Sequence, residues 1–279
     1  MAKLTLTIDE NGPMHRAALW RGRELVDLFR SDRTSDLEGA IINARLVRVL
    51  KGEAAGFCNA ALTQPVYIEK LSGQKTGSLL TLEITENPRH GKAYGAKLAK
   101  VQHMDLPLGI VTLPPEPWQR ALSHAKQENI AAIMCSESKI LKSCQEQLPM
   151  LAPLMTYDAV VRADLDQACD ALAAPRISLK CGAELVIEST EALTAIDVNQ
   201  ATASHILTAN LEAMKETARQ IRLRDIRGII VIDALKLTAR TDQAKLLNIL
   251  KTAVSTDWRK VHVFGMTKLG LIELTRSSA

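Results

Sequence analysis

The stretch that decides the fold runs from Glu188-Ser-Thr-Glu-Ala-Leu-Thr-Ala-Ile-Asp197-Val-Asn199 to Gly228-Ile-Ile-Val-Ile-Asp233. Each end is an apolar, β-type run that reaches an aspartate. Between them, positions 207, 211, 214, 218 and 221 are apolar, which predicts a helix with one buried stripe. The 36 residues from Asp197 to Asp233 fit one strand–helix–strand unit.

Such strands deliver their last polar side chains to one edge of a sheet, so Asp197 and Asp233 are expected to lie together. Two adjacent carboxylates repel each other unless a cation lies between them. Oxygen ligands without His or Cys suit magnesium or manganese better than zinc. From spacing alone a second interpretation stays open, because aspartates also end strands as helix caps or turn residues.

Three segments resemble the bacterial ribonuclease E/G family. Residues 190–199 are similar to the family's TEAL.AIDVN strand, and residues 210–233 to its helix and following GLIVIDF strand. Residues 265–276 are similar to its ISRFGLLEMSR segment. The resemblance implies that Asp197 and Asp233 bind the catalytic magnesium ion (manganese being the alternative) and that Asn199 orients Asp197 or the metal-bound water.

The resemblance also implies the fold class, α/β (α+β). We expect a mixed-sheet core with ribonuclease H-like and deoxyribonuclease I-like parts and an inserted antiparallel β-barrel, or OB-fold. The predicted segments are residues 1–35 (first strands of the ribonuclease H-like part), 36–101 (barrel), 102–175 (ribonuclease H-like or degenerate sensor region) and 176–279 (catalytic part).

Short strands separated by turn residues independently favour a sandwich or barrel between residues 38 and 101, with strands at 41–50, 54–60, 78–86 and 97–101. In this barrel Phe57 is predicted to stack on a base, and Arg89, Lys92 and Lys97 to hold phosphates. The alternative is that all four are ordinary core and loop residues.

A second set of cations lies in the C-terminal part. Lys and Arg neutralise the nucleic-acid backbone irrespective of base sequence, so these side chains are predicted to contact RNA phosphates. A solvated, basic helix face is the alternative for the first two. The set comprises Arg222, Arg224, Lys260, Lys268 and Arg276.

Composition sets the remaining bounds. The chain has 279 residues, 47% of them hydrophobic, with a net charge of +4, and it lacks an apolar run of the ~20 residues that span a bilayer. A soluble, cytoplasmic protein without membrane contact is therefore expected. The five cysteines are scattered, without the two-residue gap of zinc or redox motifs, and are interpreted as small buried hydrophobes.

Several family features are absent from the sequence. The cysteine motif of the family's zinc link is missing, so neither zinc nor a zinc-bridged oligomer is expected, and the segment that senses a 5′ monophosphate is not recognisable. The loop after Asn199 is about seven residues shorter than in the family, and Lys236 replaces a nearby acid. The main hypothesis is a magnesium-dependent endoribonuclease that hydrolyses single-stranded RNA in RNA processing or decay. The alternative is a catalytically degenerate RNA-binding protein that acts within an RNA–protein assembly.

Overall fold

The structure is a computed structural model, and it describes residues 3–88, 91–103, 105–125 and 129–277. These residues form three β-sheets and five helices, so the predicted α/β (α+β) class is confirmed. They divide into two compact units. The first contains the described residues of Met1–Asn11, Arg16–Arg30 and Ala121–Ser278, and the second those of Gly12–His15 and Ser31–Arg120.

Strands fill the first part of the chain, whereas helices and strands alternate in the second. The strands before the first helix are β1 (Leu4–Asn11), β2 (Met14–Arg21), β3 (Glu24–Asp32), β4 (Ile41–Val49), β5 (Ala55–Asn59), β6 (Val66–Glu69), β7 (Leu79–Glu86), β8 (Tyr94–Leu98) and β9 (Gly109–Thr112). The later elements are α1 (Pro117–Ala125), β10 (Ile130–Cys135), α2 (Ser138–Gln147), β11 (Met155–Tyr157), α3 (Val160–Ala173), β12 (Arg176–Ser178), β13 (Glu184–Ser189), β14 (Thr194–Asn199), α4 (Ile206–Leu223), β15 (Gly228–Asp233), α5 (Arg240–Val254), β16 (Val261–Met266) and β17 (Ile272–Arg276).

The first sheet has the strand order β11-β10-β1-β2-β3, with β10 parallel to β1 and to β11. Helix α3 packs Val161 and Leu165 against apolar residues of β2 and β3. Asp9 is fully buried near the end of β1 and accepts hydrogen bonds from Arg16, Arg162 and Ser136. Burial alone would raise the pKa of Asp9, but these donors outweigh it and the pKa falls below its usual value.

The second unit contains a closed five-stranded barrel in the order β4-β5-β6-β8-β7, with β7 returning to β4. The predicted barrel is thus confirmed, but it is not wholly antiparallel, because β6 and β8 pair in parallel. Its interior is filled by alternating apolar residues, for example Ile42 and Leu46 of β4 and Leu82 and Ile84 of β7. Strand β6 was not predicted, and the last barrel strand, β8, begins three residues earlier than expected.

The third sheet has the order β12-β13-β14-β15-β17-β16, and β14 and β15 run parallel as predicted. Helices α4 and α5 cover one face, where their apolar residues form a core with the buried side chains of β13, β14, β15 and β17. The opposite face carries exposed side chains, including Ile229 and Phe264. The sheet is therefore packed on one side and presents the other to a ligand or to solvent.

Two further observations concern the cysteines and the helices. Cys58, Cys135 and Cys144 are buried, and burial raises the pKa of the Cys58 thiol to about 11. Cys169 and Cys181 are half-buried and, like the other three, form no disulfide. Within the described residues, no helix combines the length and the hydropathy that a membrane span requires.

Candidate metal and RNA-binding sites

The two predicted metal ligands lie side by side on neighbouring strands. Asp197 of β14 is in register with Asp233 of β15, and both are exposed. The strands are parallel and the residues are register partners, so the two side chains share one face of the sheet. Their neighbours Ile196 and Ile232 are buried on the other face. The buried core thus holds the backbone that places both carboxylates at the open face.

Asn199 lies two residues beyond Asp197 on β14 and therefore shares its face. Its Nδ2 donates a hydrogen bond of 2.9 Å to Oδ2 of Asp197. This bond restrains the carboxylate of Asp197 and directs the other end of the amide, its oxygen, away from that contact. On the adjacent strand β13, Glu184 is in register with Asn199 and forms an ion pair with Arg176.

The loop that follows Asp233 is tied to helix α4. Asn210, which is fully buried, donates from Nδ2 to the carbonyl of Leu235 at 2.7 Å and accepts from the amide of Leu235 at 3.0 Å. Gln243 of α5 donates to the carbonyl of Leu237 at 2.7 Å. These bonds fix the backbone around Lys236, whose side chain is exposed three residues after Asp233.

The loop that follows Asn199 is short and closely packed. The amide of Thr202 donates to the carbonyl of Gly182 at 3.0 Å, and the amide of Ala203 donates to the carbonyl of Gln200 at 2.8 Å. Gly182 has φ of +88°, and a Cβ there would lie 2.6 Å from Oγ1 of Thr202. Only glycine fits this approach, so the shortened loop is a tight turn with defined contacts.

The residues at this edge fit a hard divalent cation. Adjacent carboxylates are the kind of ligand that magnesium takes, and magnesium commonly binds through one or two carboxylates while it retains several waters. Among the residues that the structure describes, no group of three or more His, Cys, Asp or Glu has the arrangement of a metal site. The aspartate pair would therefore be a minimal set of ligands, and a cation bound there would take water in its remaining positions.

The outer surface of the barrel carries an aromatic pair. Phe57 of β5 is half-buried and lies opposite Tyr67 of β6, with the ring centroids 5.4 Å apart. Arg48 of β4 is in register with Phe57 and is exposed. Residues in register on adjacent strands share a face, so these three side chains form one surface with two rings and one cation.

Arg48 was not predicted as a site residue. A register shift between Leu46 and Arg48 adds a residue to β4, so that Val47, Arg48 and Val49 are all exposed. Strict alternation along the sequence does not foresee such a bulge. What the sequence does offer as an indication of Arg48 is the pair of arginines at 45 and 48 in a strand that is otherwise mostly apolar.

The other predicted cations of the barrel differ from one another. Lys92 and Lys97 are exposed, and Lys97 forms an ion pair of 3.0 Å with Glu83 on the neighbouring strand β7. Arg89 lies outside the described residues. Exposure leaves both lysines accessible to a phosphate, although Lys97 already has a partial counter-charge.

The C-terminal cations divide into exposed and internal residues. Lys260 and Lys268 are exposed, as an RNA contact requires. Arg222 pairs through Nε with Asp27 at 2.7 Å and donates to the carbonyl of Val26 at 3.2 Å. Arg224 donates to the carbonyl of Ala174 at 2.7 Å. Arg222 and Arg224 therefore hold α4 against other parts of the first unit, which argues against the RNA-phosphate contacts predicted for them.

Arg276 is a further correction. The sequence predicts an RNA contact, whereas the side chain is fully buried and donates to Asp225 at 2.7 Å and to both oxygens of Asp257 at 2.9 Å. Its guanidinium also lies 5.2 Å from the ring centroid of Trp258. All three side-chain nitrogens thus donate to internal carboxylates, and Arg276 is a structural residue.

Asp225 is the centre of this internal cluster. Its carboxylate contacts the guanidinium groups of Arg227, Arg259 and Arg276. Burial alone would raise the pKa of Asp225, but the three positive charges lower it far below its usual range. The cluster joins the turn before β15 to the ends of β16 and β17, and so fixes the sheet that carries the aspartate pair.

Comparison with known proteins gives a consistent result. The sequence model of the Ribonuclease E/G family matches residues 92–279. Ribonuclease E of Synechocystis sp. is 41% identical over 109 residues, which cover 37% of this chain. Ribonuclease E of Escherichia coli is 30% identical over 174 residues, or 56% of this chain, and ribonuclease G of Haemophilus influenzae is 41% identical over 108 residues, or 36% of it.

These relatives are much longer than the matched segments. The alignments span 16% of the Synechocystis ribonuclease E, 16% of the Escherichia coli ribonuclease E and 22% of the Haemophilus influenzae ribonuclease G. The similarity therefore concerns one part of each relative, and the activity of the whole relative does not pass directly to this chain.

Proposed function

The chain belongs to the ribonuclease E/G family, and from this we propose that it is a magnesium-dependent endoribonuclease that hydrolyses single-stranded RNA during RNA processing or decay. The observation that carries the proposal is the register of Asp197 with Asp233, together with the hydrogen bond from Asn199 to Asp197. A structural sheet edge has no need for two adjacent exposed carboxylates, which repel each other without a cation.

Each residue has a defined role in this proposal. Asp197 and Asp233 hold the cation, and Asn199 fixes the orientation of the Asp197 carboxylate. A magnesium ion bound there would generate or orient the attacking water and would stabilise the negative charge that develops on the phosphoryl oxygens. Lys236 and Lys268 are exposed cations at this edge, where they would hold the neighbouring phosphates of the strand.

The barrel supplies RNA binding in the same proposal. Phe57 and Tyr67 would stack on bases, and Arg48, Lys92 and Lys97 would contact phosphates. Such a surface tolerates many sequences, because every base has a flat face and every nucleotide a phosphate. Binding would therefore depend on single-strandedness more than on base identity.

A second candidate function is an RNA-binding protein of the same family that has lost cleavage. The observation that favours it is Lys236, an exposed ammonium group on the fixed loop directly after Asp233. A cation at that position could contact a phosphate, but it also competes with a metal ion for the nearby carboxylates.

One experiment separates the two functions. Purified protein is incubated with a 5′-labelled single-stranded RNA, in magnesium or in excess chelator, while binding of the same RNA is followed by fluorescence anisotropy. The enzyme produces shorter fragments only with magnesium. The binding protein retains affinity and yields intact RNA under both conditions.

Replacing Phe57 by alanine should weaken single-stranded RNA binding by about 1–3 kcal/mol, because the change removes one stacking surface. The slope of log affinity against log salt should stay nearly constant, since stacking releases no counterions. Phe57→Leu is the matched control, because it keeps apolar volume and loses only the ring. Melting curves of both variants show whether the barrel remains folded; full affinity in a folded Phe57→Ala protein would contradict the stacking role.

Reversing the charges of Lys92 and Lys97 together should reduce that salt slope. Each lost phosphate contact lowers it by about 0.7 for single strands, and the ion pair with Glu83 should make the contribution of Lys97 the smaller one. Reversing the charges of Lys139 and Lys142 on α2, which are also exposed, is the control for net charge, because it changes the net charge by the same amount. An equal decrease in the control and in the double variant would mean that the barrel lysines have no specific role.

A further inference from the structure

The hairpin between β16 and β17 presents a leucine to solvent at the edge that carries the aspartate pair. Leu269, in the turn formed by residues 267–271, is 88% exposed. Strand β17 pairs antiparallel with β15, and the last register pair is Ile272 with Ile232. The turn therefore ends beside Asp233, where β17 starts. Leu269 precedes Ile272 by three residues, so at ~3.3 Å per residue it lies within roughly 10 Å of that row.

The backbone of this turn is fixed. The hydroxyl of Thr267 accepts hydrogen bonds from the amides of Leu269 and Leu271, both at 3.2 Å. The amide of Thr267 donates to Leu271 at 2.8 Å, and that of Gly270 donates to Thr267 at 3.0 Å. Gly270 has φ of +93°, which favours glycine, so the sequence is matched to this turn. A large apolar side chain is thus held in water on a rigid support.

Two lysines belong to the same edge as this leucine. Lys268 precedes it and is exposed, and Lys236 is exposed on the loop after Asp233. Ammonium groups attract the anionic backbone of RNA, whereas leucine offers an apolar surface to the flat face of an unpaired base. An alternation of cation and apolar side chain is complementary to a nucleic-acid single strand.

We infer that Leu269 contacts the face of the base next to the cleaved phosphate, while Lys268 contacts a phosphate of the same strand. This inference rests on the proposed function, because it takes Asp197 and Asp233 as the cleavage centre. Leucine forms no hydrogen bond with base edges, so it selects an unstacked base without reading its identity. The hairpin tip is then one source of the preference for single strands.

The test uses short single-stranded RNAs that carry the fluorescent base 2-aminopurine at one position at a time. They are titrated with the full chain in excess chelator, so that binding is measured without cleavage. The unchanged protein should alter the fluorescence at one or two adjacent positions that flank the site cut in magnesium. Leu269→Ala should abolish this change and bind about fivefold more weakly, whereas Leu269→Phe should retain both properties.

Met150→Ala is the matched control, since Met150 is 90% exposed and lies between α2 and β11, a strand of the first sheet and not of the sheet that carries the aspartates. Its affinity and fluorescence should equal those of the unchanged protein. If Leu269→Ala gives the unchanged fluorescence and affinity while the parent protein cleaves, the inference is wrong and the proposed function stands. If the parent binds RNA without cleaving it, the enzymatic proposal is wrong. Loss of the fluorescence change in Leu269→Ala would then still show that Leu269 contacts a base, and no loss would exclude that contact. Failure of the parent to bind RNA would overturn both.

Discussion

Replacing Asp197 or Asp233 by asparagine is expected to lower the rate of RNA cleavage by about a thousandfold or more. The change keeps the shape of the side chain and removes one anionic ligand, which weakens the cation site and its stabilisation of the transition state by several kcal/mol. Both side chains are exposed, so the fold should persist. Cleavage of a labelled single-stranded RNA measures the loss, and calorimetric titration with magnesium measures the weaker binding of the ion.

The matched control for these variants is Glu188→Gln. Glu188 is an exposed carboxylate on β13 of the same sheet, in register with Ala195 and so two residues down β14 from Asp197. It should cleave RNA at the parental rate. Undiminished cleavage by either aspartate variant, or by the parent protein in chelator, would show that the two aspartates are not the ligands of a catalytic metal ion.

Replacing Asp225 by asparagine is expected to destabilise the first unit by about 3 kcal/mol. Removing one partner of a buried ion pair costs ~3–5 kcal/mol, and the lower end applies because the side chain of Asp225 remains 27% exposed. Three guanidinium groups would lose a shared counter-charge. Asparagine is the informative choice because Asp225 has φ of +50°, a conformation that asparagine tolerates, so backbone strain is not added.

Thermal unfolding checks this expectation, with Asp170→Asn as the control. Asp170 is exposed on α3, and its variant should stay within about 0.5 kcal/mol of the parent. A loss that is no larger for Asp225→Asn than for Asp170→Asn would show that the cluster does not stabilise the fold.

The contribution of Asp225 should also depend on pH in a defined direction. Its pKa is lowered in the folded state, so its stabilising contribution is fully present above the pKa of an unfolded aspartate, about 3.9, and is lost as the pH falls below that value. The difference in stability between the parent and Asp225→Asn should therefore shrink in acid. A constant difference from pH 7 to pH 3 would contradict this.

The sequence by itself determined the parts that depend on local pattern. Apolar runs that end in Asp197 and Asp233, with a helical period between them, predicted a parallel strand pair, because a buried stripe and buried strands have only a few ways to pack. Short runs separated by turn residues predicted most barrel strands. Strand β6, which is only four residues long, was missed because so short a run is not distinguishable from a loop.

Only the tertiary structure decided which of the predicted arginines are accessible to RNA. The sequence predicts RNA-phosphate contacts for Arg222, Arg224 and Arg276. Each of them instead binds an internal carboxylate or carbonyl that lies at least 19 residues away in the sequence. No local pattern indicates such partners. Arg48 was hidden for the opposite reason, since a bulge in β4 changed which side chains face outward.

The same division applies to the site itself. The sequence supplied the two aspartates through the apolar runs that end in them, and it supplied Asn199 and the metal role through the resemblance to the ribonuclease E/G family. The exposure of Leu269 beside Asp233 depends on the pairing of β17 with β15 and on the hydrogen bonds of Thr267. Pairing between strands that are distant in sequence arises from the packing of the whole sheet on α4 and α5, so it was decided only in the folded protein.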